Sequence, residues 1–92
     1  VMPYAKIGMH TIINSNTVIE HENQIGDYVH IAPGCILAGT VKVHEGSFIG
    51  IGARVIPGVT IGKDVVVGAG ATVIRSIPDG QTWVGTPARL LR

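Results

Sequence analysis

Val43 to Val73 reads VHEGSF IGIGAR VIPGVT IGKDVV VGAGAT V, and the first letter of every block is Val or Ile. The register runs back to the first residue: Val1, Ile7, Ile13, Ile19, Ile25, Ile31, Leu37, Val43, Ile49, Val55, Ile61, Val67 and Val73 are all branched aliphatics. Chance gives such a run less than about once in a million registers, so the period belongs to the fold. Four residues after most of these aliphatics stands a small or β-branched side chain: Ala5, Thr11, Thr17, Val29, Cys35, Val41, Ser47, Ala53, Val59, Val65 and Ala71. Together the two positions give the alternation of a strand that points every second residue inward. Corner dipeptides separate them, among them Pro33-Gly34, Glu45-Gly46, Pro57-Gly58 and Ala69-Gly70, where glycine supplies the positive φ a tight corner requires. Six residues therefore make one short strand and one corner. Three such units close a triangular coil of about 18 residues, and successive coils stack as parallel strands about 4.8 Å apart. The expected fold is all-β: a parallel β-helix shaped as a triangular prism, with residues 18 apart in one column.

Composition narrows the classes of function. The 92 residues carry seven basic and six acidic side chains, which gives no field to attract nucleic acid or a membrane surface. No apolar run reaches the roughly 20 residues of a bilayer span, and no secretory leader pattern opens the chain. One Cys permits no internal disulfide and fits a reducing, cytoplasmic compartment. Its hexad position points Cys35 into the core, which disfavours it as a nucleophile. The array ends at the turn cluster Ile77-Pro78-Asp79-Gly80. Residues 1–78 are read as the β-helix and 79–92 as a capping tail. Thr86 and Pro87 suit the N-cap and first position of a short helix over the open last coil. Val1 is already in register, so a preceding segment is expected upstream.

The repeat favours Pro-Gly at its corners, but His21 and Glu22 occupy one corner, and Gly39 lies one coil above His21. An imidazole with an ordinary pKa near 6.5 suits a general base at neutral pH, and an adjacent carboxylate can orient it. Gly39 leaves space and an accessible amide beside the ring. A solvated corner histidine is the competing reading. Asn23 faces inward among aliphatics and needs a hydrogen-bond partner. The four histidines lack a short metal-ligand spacing, since the nearest pair is nine residues apart and falls on different edges; no metal is expected. His10 and His44 are expected at the surface. Phe48, outward and one coil above His30, lines a groove or an interface. Lys42, Arg54 and Arg75 are outward charges that meet water or a ligand's phosphates.

The segments Val18-Ile19-Glu20-His21-Glu22, Val29-His30-Ile31, Ala38-Gly39-Thr40-Val41 and Gly85-Thr86-Pro87-Ala88-Arg89 resemble the sialic acid O-acetyltransferase and UDP-4-amino-sugar N-acetyltransferase family of hexapeptide-repeat proteins. The likeness extends over essentially the whole chain. The His-Glu pair within its flanking hexads is its more specific part, whereas the repeat and the tail are shared by many acyltransferases. The resemblance implies a left-handed coil and acetyl-CoA as co-substrate. It also implies acetyl transfer to an amine or hydroxyl of a sugar or nucleotide-linked sugar, with sialic acid O-acetylation as the alternative. It makes His21 the general base, with Glu22 raising its basicity. It places His30, Gly39, Ile51 and Ala69 against acetyl-CoA, and Asn14 against the acceptor. The family has Gly where Ala69 stands, so this chain adds a methyl group there. The family's N-terminal domain that binds the nucleotide-sugar is absent from this chain. No covalent acyl-enzyme is required, and the Gly39 amide or the His30 ring is the expected donor to the oxyanion.

These assignments have a geometric consequence. His21 and Gly39 share one corner column, whereas Ile51 and Ala69 share another a third of a turn away. One cofactor reaches both only if two copies meet edge to edge, and a homotrimer satisfies every interface equivalently. Two rivals lie outside catalysis. An ice-binding β-helix wants a regular outward Thr ladder, which the outward residues from Lys6 to Thr72 do not form. A non-catalytic trimerisation module of a larger sugar-nucleotide enzyme has no use for the His21-Glu22 pair.

Overall fold

The computed structural model describes residues 5–92; Val1, the first member of the aliphatic register, lies outside them. Among the described residues every regular element is a strand, and no helix is long and apolar enough to cross a membrane. The strands make three faces. The first face holds Lys6–Ile7, Gln24–Ile25, Lys42–Val43 and Thr60–Ile61 in parallel. The third holds Val18–Ile19, Ile36–Leu37, Arg54–Val55 and Thr72–Val73. The second holds Ile12–Ile13, His30–Ile31, Phe48–Ile49 and Val66–Val67, and is extended by two strands of the tail. Paired residues are 18 apart, as Lys6 with Gln24 and Phe48 with Val66. The expected triangular prism is therefore present, in keeping with a left-handed coil.

Backbone hydrogen bonds alternate in direction around each coil. Along the faces, amides donate to carbonyls of the next coil, as Ile12 N to Val29 O at 2.9 Å and Val18 N to Cys35 O at 2.9 Å. At the corners they donate to the preceding coil, as Gly34 N to Ser15 O at 3.0 Å and Thr40 N to His21 O at 3.1 Å. The residue donating at each corner has positive φ, and it recurs every sixth position from His10 to Gly70. Gly34, Gly46, Gly52, Gly58 and Gly70 meet this need without strain, while Glu22 and Thr40 meet it at φ 58°. For the β-branched Thr40 the left-handed conformation costs about 1–2 kcal/mol, so the coil imposes it.

The aliphatic register forms the core: Ile19, Ile31, Leu37, Ile49, Ile61, Val67 and Val73 are fully buried. The second inward column carries the polar exceptions, and each finds a partner in the next coil. Asn23 accepts from Val41 N at 2.8 Å and donates to Leu37 O at 3.3 Å. Ser47 accepts from Val65 N at 2.9 Å and donates to Gly62 O at 2.6 Å. Thr11, Thr17 and Cys35 donate to Gly26 O, Ala32 O and Gly50 O. The polar side chain thus ties its own coil to backbone groups at or next to the overlying corner, most of which have no partner in the face ladders.

The tail departs from expectation. No helix starts at Thr86; its hydroxyl donates to Gly70 O at 3.1 Å instead of capping. The last coil is two residues short, pairing Ile61 with Ile77 and Val66 with Thr82. Thr82–Val84 then extends the second face, and Arg89–Leu90 folds back antiparallel on it. The sheet edge offered by Val66–Val67 is a template for another strand, and that pairing prevails over the local capping signal. Trp83 packs on the core, donating Nε1–H to Gln81 Oε1 at 2.9 Å.

Replacing Asn23 by Leu leaves Val41 N–H buried without an acceptor. We expect a loss of about 2 kcal/mol in unfolding free energy, measured by denaturant titration, whereas Lys42→Ala on the exposed first face stays within about 0.5 kcal/mol.

Candidate functional site

Three outward columns and two corners carry the residues that the sequence singled out. His21, Glu22, Gly39 and Thr40 stand on the edge between the third and first faces, here the His21 edge. Thr40 N bonds His21 O and Gly58 N bonds Gly39 O, which fixes this edge to its neighbours. The His21 imidazole lies against Gly39: a Cβ added there would stand 2.9 Å from Cε1 and 3.0 Å from Nε2. Glycine at 39 thus makes room for the ring where it lies, with no demand from backbone conformation, and the open space expected there is filled by the imidazole. Nδ1 of His21 faces Glu22 Oε1 at 3.4 Å, and both side chains are more than half exposed. With Nδ1 turned to the carboxylate, Nε2 is the nitrogen left for a substrate proton. The corner conformation of Glu22, shared with glycines elsewhere, puts its carboxylate beside the ring.

His30 belongs to the second face, and Asn14 follows that face's strand Ile12–Ile13 at the start of the corner toward the third face. Asn14 Nδ2 contacts His30 Nε2 at 2.9 Å and donates to Ile31 O at 3.1 Å. The Phe48 ring meets His30 edge to face at 5.0 Å between centroids. Sequence columns place His30 beneath Phe48, as observed, but not Asn14 beside His30, because the two are 16 residues apart and touch diagonally. Ile51 and Ala69 are exposed on the next edge, between the second and third faces. The structure thus brings together His21 with Glu22 and Gly39, and Asn14 with His30. It keeps the His21 group on a different edge from Ile51 and Ala69, whereas Asn14 opens the corner of their own edge, coils below them.

Thr40, a β-branched residue at a corner position that glycine holds in several other repeats, donates its hydroxyl to Gly39 O at 2.6 Å. Cys35 is fully buried, and burial pushes its thiol above the ordinary range, so it stays a protonated donor to Gly50 O at 3.0 Å. Asn23 serves the corner, as described. His10 stacks on Tyr28 at 5.2 Å, and His44, Lys42, Arg54 and Arg75 are exposed. Among the described residues no three His, Cys, Asp or Glu gather into a potential metal site.

Gly39 does not adopt positive φ, so Gly39→Ala is expected to fold normally while its methyl group expels the His21 ring. A crystal structure, or the His21 ring resonances, checks this; an unmoved ring contradicts the packing described.

Residues 40–75 match the model of the bacterial transferase hexapeptide, which comprises six repeats. Serine acetyltransferase of Bacillus pumilus is 34% identical over 99% of this chain and 46% of its own length. Gamma carbonic anhydrase 1, mitochondrial, of Arabidopsis thaliana is 37% identical over 94% of this chain and 35% of its own. A crystal structure of a mutant perosamine N-acetyltransferase from Caulobacter crescentus, in complex with CoA and GDP-perosamine, superposes with a TM-score of 0.91 and 45% identity. It covers 94% of this chain and 41% of that one. The chain spans less than half the length of each of these relatives. Repeat, coil and relatives agree: the chain belongs to the hexapeptide-repeat family.

Proposed function

We propose that this chain is the β-helix of an enzyme that transfers acetyl from acetyl-CoA to an amine of a nucleotide-linked sugar. The observation that carries this is the His21 imidazole seated on Gly39 with its Nδ1 toward Glu22. The CoA and GDP-perosamine bound to the Caulobacter relative support the choice of donor and acceptor class.

In this mechanism His21 Nε2 takes a proton from the acceptor nitrogen as that nitrogen attacks the thioester carbonyl. The tetrahedral intermediate places negative charge on oxygen, for which the Gly39 amide and the His30 ring of a neighbouring copy are the available donors. Collapse breaks the carbon–sulfur bond, and the CoA thiolate leaves with the proton held by His21. Glu22 stabilises the imidazolium formed in passing. Ile51 and Ala69 line the cofactor's path, and a methyl group stands where the family has Gly. The acceptor's nucleotide is held by a domain outside this chain, and the setting is cytoplasmic. A zinc hydratase would need three converging imidazoles; the pair nearest in sequence, His21 and His30, lies on different parts of the prism. A purely structural trimerisation module has no use for a base packed on a glycine.

The exposed surface favours a trimer. Outward residues of the first face are Lys6, Gln24, Lys42 and Thr60, all polar. The second face presents Ile12, Phe48 and Val66, and the edges beside the third present Ile51, Ile56 and Ile74, all exposed. Covering the apolar sides while leaving the polar one wet requires other copies, and a closed three-fold ring treats every copy alike. It also carries Ile51 and Ala69 of one copy toward His21 of the next.

His21→Ala is expected to lower acetyl transfer to an amino-sugar nucleotide by about 10²–10⁴-fold, followed as CoA thiol release; an unchanged rate removes His21 from the mechanism. Light scattering is expected to give the mass of three copies, with Phe48→Glu and Ile56→Glu reducing it and Lys42→Glu leaving it intact. A stable, active monomer overturns the shared-site arrangement.

A further inference from the structure

Asn14 and His30 form the most constrained polar contact on the outside of the prism. Ile31 O receives two donors from one residue, the Asn14 backbone amide at 3.0 Å and its side-chain Nδ2 at 3.1 Å. A carbonyl oxygen only accepts, so this bond decides which end of the Asn14 amide carries hydrogen. The same Nδ2 lies 2.9 Å from His30 Nε2. Its second hydrogen therefore meets that nitrogen, which must offer a lone pair. A proton on Nε2 would set donor against donor. The contact therefore calls for the tautomer with its lone pair on Nε2 and its proton on Nδ1. Phe48, edge-on at 5.0 Å, limits rotation of the ring from the coil above. His30 is half-buried, and Nδ1 has no hydrogen-bond partner among the described residues.

We propose that Asn14 is a positioning residue that holds His30 in the Nδ1–H tautomer, so that Nδ1 is a fixed hydrogen-bond donor for a carbonyl oxygen of the acyl donor. The identity of that ligand rests on the acetyl-transfer reading; the tautomer does not. An unheld imidazole offers either a donor or a lone pair at a given nitrogen, and a lone pair facing a carbonyl oxygen repels it. Setting the proton in advance removes the wrong state before the ligand arrives. Among the described residues Asn14 Oδ1 stays free to accept from an N–H of the acceptor, so the positioning role is compatible with acceptor contact.

The tautomer is read from long-range proton–nitrogen spectra of protein labelled with ¹⁵N at histidine, with His30 assigned by its loss in His30→Gln. The native protein is expected to show the Nδ1–H pattern at His30. Asn14→Ala releases the ring to a mixture, and Asn14→Asp draws the proton to Nε2, while His10, His21 and His44 keep their patterns. A native His30 protonated on Nε2 overturns the proposal. Calorimetric titration with acetyl-CoA is expected to show affinity lowered roughly tenfold in both Asn14 variants, with melting temperatures close to native. Unchanged affinity in a variant whose tautomer has moved overturns the donor role. If native protein binds no acetyl-CoA, the acetyl-transfer reading falls and takes the ligand with it, while the tautomer assignment is judged by the spectra alone.

Discussion

The distance between coils is set by the backbone, and the placement of the outer side chains follows from it. Face amides reach forward to the next coil and corner amides reach back to the one before, so each coil is clamped from both sides at the spacing of a parallel sheet. A side chain on the outside inherits this spacing. The His21 ring rests on Gly39 because a corner one coil above is within contact distance of an imidazole, and the only side chain that avoids collision there is none. The site is therefore a product of coil pitch and not of a loop folding over it.

The same pitch places demands inside. Corners turn with residues in the left-handed conformation, and their backbone groups are out of step with the face ladders. Asn23 and Ser47 meet this with one acceptor and one donor each, bridging to the overlying corner. Hydroxyl, thiol and amide occupy a column otherwise filled by Val and Ala, which explains why polar residues persist in a core built of aliphatics. Cys35 belongs to this set: its thiol is a small donor to Gly50 O that happens to be sulfur.

Much of this was legible in the sequence because a six-residue period converts chain distance into position. Residues 18 apart are neighbours, so Gly39 over His21 and Phe48 over His30 follow by counting. What counting misses are contacts off the column. Asn14 reaches His30 diagonally, over 16 residues, and the last coil is shortened by the same two residues. The tail was misread for another reason. Thr86 and Pro87 carry a helix-start signal, yet the sheet edge of Val66–Val67 lay open beside them, and strand pairing satisfies more backbone groups than one helical turn would. Local propensity loses where an unfilled edge is near.

Relatives that include an acetyltransferase and a carbonic anhydrase share this coil at similar identity, so the repeat itself does not choose a reaction. The aliphatic and corner positions, which dominate any alignment, are dictated by stacking. Chemistry is confined to outward and corner residues, a minority of each hexad. A triangular prism imposes one further limit on them: each face is only two residues wide, so no single face can surround a ligand. Concave surfaces arise where prisms meet along their edges. Under the trimer proposed above, base, oxyanion donor and cofactor channel are drawn from two copies. The separation of His21 from Ile51 and Ala69 on different edges is what such a division looks like from within one chain.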